Sequence, residues 1–397
     1  MQYPASFSRV RVMIEQSPLP PVVPVAGAAR PRLLSLDVFR GITVAAMILV
    51  NNPGSWGHVY APLRHAEWNG CTPTDLVFPF FLFIVGVAVT YALGSLRGRP
   101  EAHGAAIRRI ARRSLILFGL GLFLALFPSF DFATVRIPGV LQRIAVVFLV
   151  CGIVFLKTGV RTQVWLMGGL LVLYYVLMCF VPVPGVGFPN LQPTTNLAAW
   201  VDHKLLAGHL WRTSRVWDPE GLLSTLPAIA TGLSGVLTGH WIRRNDAPAE
   251  KVAWMFVLAN AAVAAGLAWN YAFPINKSLW TSSYVLYTSG LALNGLALCY
   301  WLVDVKGYRG WTKPFVAFGV NAITAFFLAG LLPRLLNLVR VTGAGGQETG
   351  LQGYLYQTLY TPLLSPYNAS LAWALSYVLL FLALVWWMHR RNLIIKV

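Results

Sequence analysis

The stretch "RHAEWNGCTPTDLVFPFFLFIVG", residues 64–86, changes character in its middle. From Leu76 onward it is apolar enough for a bilayer core, whereas His65, Glu67, Trp68, Asn69, Thr72, Thr74 and Asp75 crowd its first half. In hydrocarbon a backbone must satisfy its own polar groups, so an apolar run of this length is read as a spanning helix. A polar loop therefore sits at the mouth of a transmembrane segment.

Runs of the same kind recur along the chain: 34–52, 75–93, 113–129, 138–156, 163–182, 221–241, 252–272, 279–303, 314–332 and 370–388. The 397 residues are 57% hydrophobic and 11% charged, against about 25% charged in a soluble domain. The fold class is an all-α polytopic membrane protein with about ten transmembrane helices. Residues 33–397 read as one transmembrane domain, with a large outer loop at 183–220. A stretch at 333–369, holding Gly343, Gly345, Gly346 and Pro362, reads as re-entrant or irregular. Residues 1–32, with Pro18, Pro20, Pro21, Pro24, Pro31 and four arginines, read as a disordered cytoplasmic tail. They hold no continuous apolar stretch of the kind a cleavable signal needs.

Loop charge sets the orientation. The tail and alternate loops carry 18 Lys or Arg, and the intervening loops carry 8. The richer set is expected in the cytoplasm, which puts both termini inside and His65 outside. This accounts for the net charge of +18 without nucleic acid, for which no recognition pattern is present. The inner loops are short and hold no P-loop or dinucleotide motif, so an ATP-driven pump is disfavoured. Cys151, Cys179 and Cys299 lie in apolar runs and Cys71 lacks a loop partner, so no disulfide framework is expected.

Ionisable groups near hydrocarbon are costly and mark function or a partner. Asp37 and Arg40, three apart, share a helix face and read as a structural pair. Asp75 reads equally as a cap for span two or as a partner of His65. In "TVRIPGVLQRIAVV", residues 134–147, Arg136 lies at an interface while Gln142 and Arg143 enter the fourth span. Arg143 needs an anionic ligand, a cavity or a carboxylate, for which Asp37, Asp75 or Glu220 would serve. His58, His65, His203 and His209 lack metal-ligand spacing, so no metal is expected. An imidazole exchanges protons near neutral pH; Asp75 or Glu67 could orient His65, and Asn51 or Asn52 could face a developing oxyanion. On residue chemistry alone a loop histidine is usually just solvated.

The order of motifs then decides. "RLLSLDVFRGITVAAMILVNN", "RHAEWNGCTPTDLVFPFFLFIVG", "VRIPGVLQRIA", "WDPEGLLST", "PINKSLWTSSYVL" and "DVKG" follow one another along nearly the whole chain. Together they resemble the heparan-α-glucosaminide N-acetyltransferase family, in the form of a shorter bacterial-type member. The lysosomal form has a large luminal region and one more span ahead of these motifs, so this chain is expected to start at the family's second span. Its outer loop is also shorter, which argues against long-polymer specificity.

The resemblance implies transfer of acetyl from cytosolic acetyl-CoA to the amine of a terminal glucosamine across the membrane. It places the catalytic histidine at His65, in "HAEWNG", and matches Asn51, Asn69, Asp75, Arg136, Gln142, Arg143, Glu220, Asn276 and Lys277 to family motifs. The expected site has His65, Asn51, Asp75 and Glu67 at the chemistry, and Arg136, Gln142, Arg143, Asn276 and Lys277 on acetyl-CoA. Trp68, Asn69 and Glu220 are expected on the acceptor. His65 would serve as general base or as acetyl carrier. The expected setting is a bacterial inner membrane, with lipids and an amino-sugar or glycan acceptor as partners and a homodimer as a candidate assembly. An amino-sugar permease and an envelope-glycan O-acetyltransferase are the competing readings.

Overall fold

A computed structural model describes residues 33–342 and 347–395. The amino-terminal tail, 1–32, and Gly343, Gly345 and Gly346 fall outside the described residues. Every expected apolar run carries helix. The helices are α1 (Leu34–Asn51), α2 (Pro73–Leu93), α3 (Pro100–Leu126), α4 (Val140–Lys157), α5 (Val160–Phe180), α6 (Leu197–Leu206) and α7 (Thr225–Ile242). They continue with α8 (Pro248–Trp269), α9 (Ser282–Tyr300), α10 (Lys313–Val320), α11 (Ala322–Leu338), α12 (Leu351–Leu359) and α13 (Pro366–Arg390). Proline opens α2, α3, α8 and α13, where its fixed φ suits a helix and its missing N–H costs nothing. The chain is thus an all-α, multi-pass membrane protein.

Among the described residues, seven helices are long and apolar enough to cross a membrane: α1, α2, α4, α5, α8, α9 with the turn Trp301–Val305, and α13. The pair α10–α11 passes the same test only when taken together, and its 80° bend is that of a broken span or a re-entrant loop. The expected straight span 314–332 is therefore broken, at Asn321. Two further expected spans correspond to α3 and α7. α3 starts at Pro100, so most of the stretch taken for an inner loop is helix, and Arg108, Arg109, Arg112 and Arg113 ride on it. α7 carries many glycines and threonines and buries most of its length. The stretch 333–369 holds the end of α11, an antiparallel pair of three-residue strands, β1 (Arg340–Thr342) and β2 (Glu348–Gly350), and α12.

The centre is α2 packed on α7. A Cβ on Gly86 would lie 1.9 Å from the Gly232 carbonyl oxygen, and one on Gly235 would lie 2.0 Å from that of Phe83. Small residues let membrane helices approach to backbone contact where no hydrophobic gradient drives them together. Leu82, Ile84, Val87, Leu233 and Val236 complete this buried seam. α1 lies on α10 in the same way, through Gly41 and Gly319. The expected Asp37–Arg40 pair forms at 3.2 Å, with Arg40 also donating to the Gly319 carbonyl. These contacts fix α2 against α7 and α1 against α10.

Candidate active site

Asp75 stands at the third position of α2 and uses its two oxygens differently. Its Oδ2 accepts from Thr72 N, Thr72 Oγ1 and Ala66 N, each at 3.0 Å, closing the α2 start as the acidic half of a capping box. Its Oδ1 lies 2.6 Å from His65 Nδ1. The capping role and the role beside His65 are both realised in one carboxylate. Asp75 is 1% exposed, and the Tyr284 hydroxyl donates to its main-chain carbonyl at 2.5 Å. With a proton on Nδ1 donated to this carboxylate, the imidazole carries its lone pair on Nε2.

The partner loop comes from the far end of the sequence. Between α8 and α9, Asn276 accepts from Leu279 N at 2.9 Å and donates to Asn69 Oδ1 at 3.1 Å. Gly70, at φ +110°, donates from its N–H to the Ile275 carbonyl at 2.7 Å; its left-handed φ is one that glycine adopts without strain. The pairing sets Lys277 Nζ 3.2 Å from His65 Nδ1, 3.3 Å from Nε2 and 3.9 Å from Asp75 Oδ1. Burial pulls the Lys277 amine below the ordinary lysine range, with Glu220 and then Asp75 acting against that. Beside it, burial and Asp75 push the Cys71 thiol up to about 12, so Cys71 is an inert thiol.

A second cluster forms where the α3–α4 loop meets the segment before α7. Arg136 donates to Asp218 through Nε at 2.8 Å and Nη2 at 2.6 Å, and to Glu220 at 2.5 Å. Burial alone would lift the Glu220 carboxyl, but Arg136, then Arg143 and Lys277, hold it below the usual range. The loop is held in turn by Asp202 of α6, which accepts from Leu222 N at 2.8 Å and Asp218 N at 3.3 Å. Of the alternatives open for Arg143, the carboxylate is the one the geometry does not supply. None of the three expected carboxylates pairs with it; it donates to the Gly221 carbonyl at 3.0 Å and Ser224 Oγ at 2.5 Å, and lies over the Trp280 ring at 5.1 Å. Its Nε and Nη1 are buried without a hydrogen-bond partner.

The remaining expected residues divide. Asn51 ends α1 exposed, while Asn52 turns back to the Ile48 carbonyl at 2.8 Å. Glu67 is exposed and is not brought to His65. Trp68 donates to the Leu191 carbonyl at 3.0 Å and meets Trp217 edge-on, which in turn meets Trp211. Gln142 is buried beside Gly121 and Gly139 and lines, with Arg136, Trp211, Arg212 and Arg334, a cavity of about 420 Å³. A second cavity of about 240 Å³ holds Arg40 and Arg113. The two follow one another between α3, α4 and α11: Leu117, Ile144 and Ile323 line the second, and Gly121, Leu141 and Phe326, about a turn away, line the first.

Sequence reasoning missed Asp218, the main partner of Arg136, and α6 with its buried Asp202. Asn196 followed by an apolar run was the available sign of α6, and its side chain caps the helix at Ala199 N. The place of Lys277 against His65, rather than only on a cofactor, was also not foreseen.

A family model described as "Heparan-alpha-glucosaminide N-acetyltransferase, catalytic" matches residues 32–266. Human heparan-alpha-glucosaminide N-acetyltransferase is 32% identical over 355 residues, covering 75% of this chain and 53% of the human protein. The mouse protein of the same name is 30% identical over 351 residues, covering 74% and 53%. The chain thus spans about half the length of the curated relatives it matches. With the matched region taking in the "HAEWNG" loop, Asp75 and the Arg136–Glu220 cluster, this membrane protein belongs to the heparan-alpha-glucosaminide N-acetyltransferase catalytic family.

Proposed function

We propose that the chain is an acetyltransferase that moves acetyl from acetyl-CoA to the amine of a glucosamine-type sugar, with His65 at the reacting centre. The observation that carries this reading is the 2.6 Å contact of His65 Nδ1 with Asp75 inside the family's matched region. A carboxylate that fixes one ring nitrogen leaves the other poised to take a proton or to attack.

As general base, Nε2 takes the proton lost by the acceptor amine as that nitrogen bonds to the thioester carbonyl; CoA then leaves as thiolate and receives the proton. As acetyl carrier, Nε2 itself bonds to the carbonyl, CoA leaves, and the amine later displaces the imidazole. Asn51, whose amide is exposed while that of Asn52 is bound to the Ile48 carbonyl, is the one proposed to donate to the oxyanion. Lys277 adds a second nitrogen that can hold or return the proton.

The donor is proposed to come from the cytoplasmic side. Support comes from the loop charges and from the two successive cavities between α3, α4 and α11, with Arg40 and Arg113 at one end and Arg136, Arg212 and Arg334 at the other. Arginine forks suit phosphate groups. The setting is proposed as a bacterial inner membrane.

The test is transfer of label from acetyl-CoA to a panel of amino sugars by purified wild type, His65→Ala and Asn51→Ala. Acetylation lost in His65→Ala supports the reading. Sugar uptake into vesicles by wild type and His65→Ala alike, with no acetylated product, would replace it with a permease. Label on a hydroxyl and never on an amine would replace it with an O-acetyltransferase. An acetyl-enzyme trapped without acceptor selects the carrier route.

A further inference from the structure

A large apolar groove lies away from this site. α5 packs on α7, and α8 packs on α9. The gap left between α5 and α8 is a groove of about 640 Å³. Its floor is Phe83 with Ser234, Thr238, Ser289 and Gly290, and the two serines satisfy each other at 3.0 Å. Its lips include Val160, Val164 and Leu258, all exposed. α5 and α8 are only 22% buried within the protein over their apolar windows, so the groove opens where the helices face lipid. From Val285 to Leu293 on α9 it runs about 12 Å at the helical rise.

One end differs from the other. There the lining includes His240, Trp241 and Arg244, and Val160 begins α5. Arg244 lies over the Trp241 ring at 4.6 Å and pairs with Asp246 through Nε at 2.7 Å, and its side chain is more than half exposed. Arg161 is exposed next to Val160, and the first amides of α5 add their own partial positive charge. Arg97 also approaches His240, at 3.3 Å. The acidic groups next to this end in sequence are Asp246, paired with Arg244, and Glu250 in the first turn of α8. Trp241 and Trp254, in edge contact, and exposed Trp165 are the aromatic residues expected at headgroup level.

We propose that this groove is a binding site for an anionic phospholipid, one acyl chain lying between α5 and α8 and the phosphate meeting Arg244 and Arg161. The apolar length takes the chain, and the cationic mouth recognises the headgroup charge. The site is independent of the chemistry at His65 and stands or falls separately from it.

Native mass spectrometry of the full chain, exchanged into phosphatidylglycerol or phosphatidylcholine, tests the proposal. Wild type is expected to retain one phosphatidylglycerol through conditions that strip phosphatidylcholine, and to melt higher in its presence. Ala262→Phe, which fills the groove, is expected to lose both effects. Arg244→Glu is expected to keep the fold and bind the two lipids equally. Equal retention of both lipids by wild type, or full retention of phosphatidylglycerol by a folded Ala262→Phe and by Arg244→Glu, overturns it. A dimer of wild type that Leu258→Trp dissociates also overturns it, by giving the groove to a second copy of the chain.

Discussion

Lys277 Nζ lies within 3.3 Å of both ring nitrogens of His65, an approach that two full positive charges would oppose. Asp75 and Glu220 offset part of that opposition, and burial offsets more by favouring the neutral amine. The contact therefore ties proton placement on the two residues together.

Because burial lowers the Lys277 proton affinity, a neutral amine forms at lower pH than on a surface lysine. Transfer that uses this amine is expected to rise with pH along a limb below the ordinary lysine range. Lys277→Arg cannot shed its proton and is expected to lose that limb, whereas Lys277→Gln lowers kcat yet keeps a flatter profile. The pH dependence of kcat/KM for the three proteins is the measurement. An unchanged limb in Lys277→Arg removes Lys277 from proton handling.

Asp75→Asn separates the two duties of its carboxylate. The amide keeps an oxygen for the Thr72 and Ala66 amides but no longer fixes the imidazole as a carboxylate does. Catalysis is expected to fall by about 10⁴, with a stability loss of only about 1 kcal/mol for the weakened cap. Turnover and melting temperature, measured on one preparation, check the contrast; equal proportional losses would reduce Asp75 to a cap.

Asp218 is fully buried on Arg136. Asp218→Ala is expected to cost about 3 kcal/mol, as for removal of one member of a buried ion pair. Glu220→Gln should cost less, because Arg136 retains both bonds to Asp218. Denaturation in detergent gives the order; a costlier Glu220→Gln contradicts it.

Asp202 carries the opposite sign. Burial pushes its carboxyl up to about 6, so the folded chain holds a proton that the unfolded chain has already lost at the same pH. Stability from this group is full below the unfolded carboxyl range, near 4, and is lost as pH rises toward 6. Asp202→Asn, which cannot ionise, is expected to flatten that decline between pH 4 and 6 and to melt above wild type at pH 7.5. Melting curves at pH 4, 5, 6 and 7.5 decide it.

Gly235→Leu inserts a side chain where the Phe83 carbonyl stands 2.0 Å from a bare Cβ. α2 and α7 would have to separate, and a folded monodisperse protein is not expected. Recovery of a normal elution profile from Gly235→Leu would show that this seam yields.

Much of the architecture was legible because membrane helices announce themselves as unbroken apolar runs. Where the reading slipped, local composition worked against it. The arginines of α3 look like loop, yet Pro100 starts a helix that carries them. The break at Asn321 leaves no mark in hydropathy, since both α10 and α11 are apolar. At the site, His65 and Asp75 lie ten residues apart, and their partnership was foreseen as one option of two. The pairings of Lys277 with His65, and of Arg136 with Asp218, join segments with no shared periodicity. Only packing brings them together.

The Gly70–Ile275 bond and the Asn69–Asn276 bond carry one more consequence, for the making of the protein. They join the α1–α2 loop to a segment some two hundred residues later, beyond the end of the family match at residue 266. During synthesis α1 and α2 reach the membrane long before the 276–277 segment exists. His65 would then wait, oriented by Asp75 but without Lys277, until α8 and α9 insert. A nascent or truncated chain ending at the family boundary would carry the histidine without its full setting, so activity should emerge late in translation and in a single step.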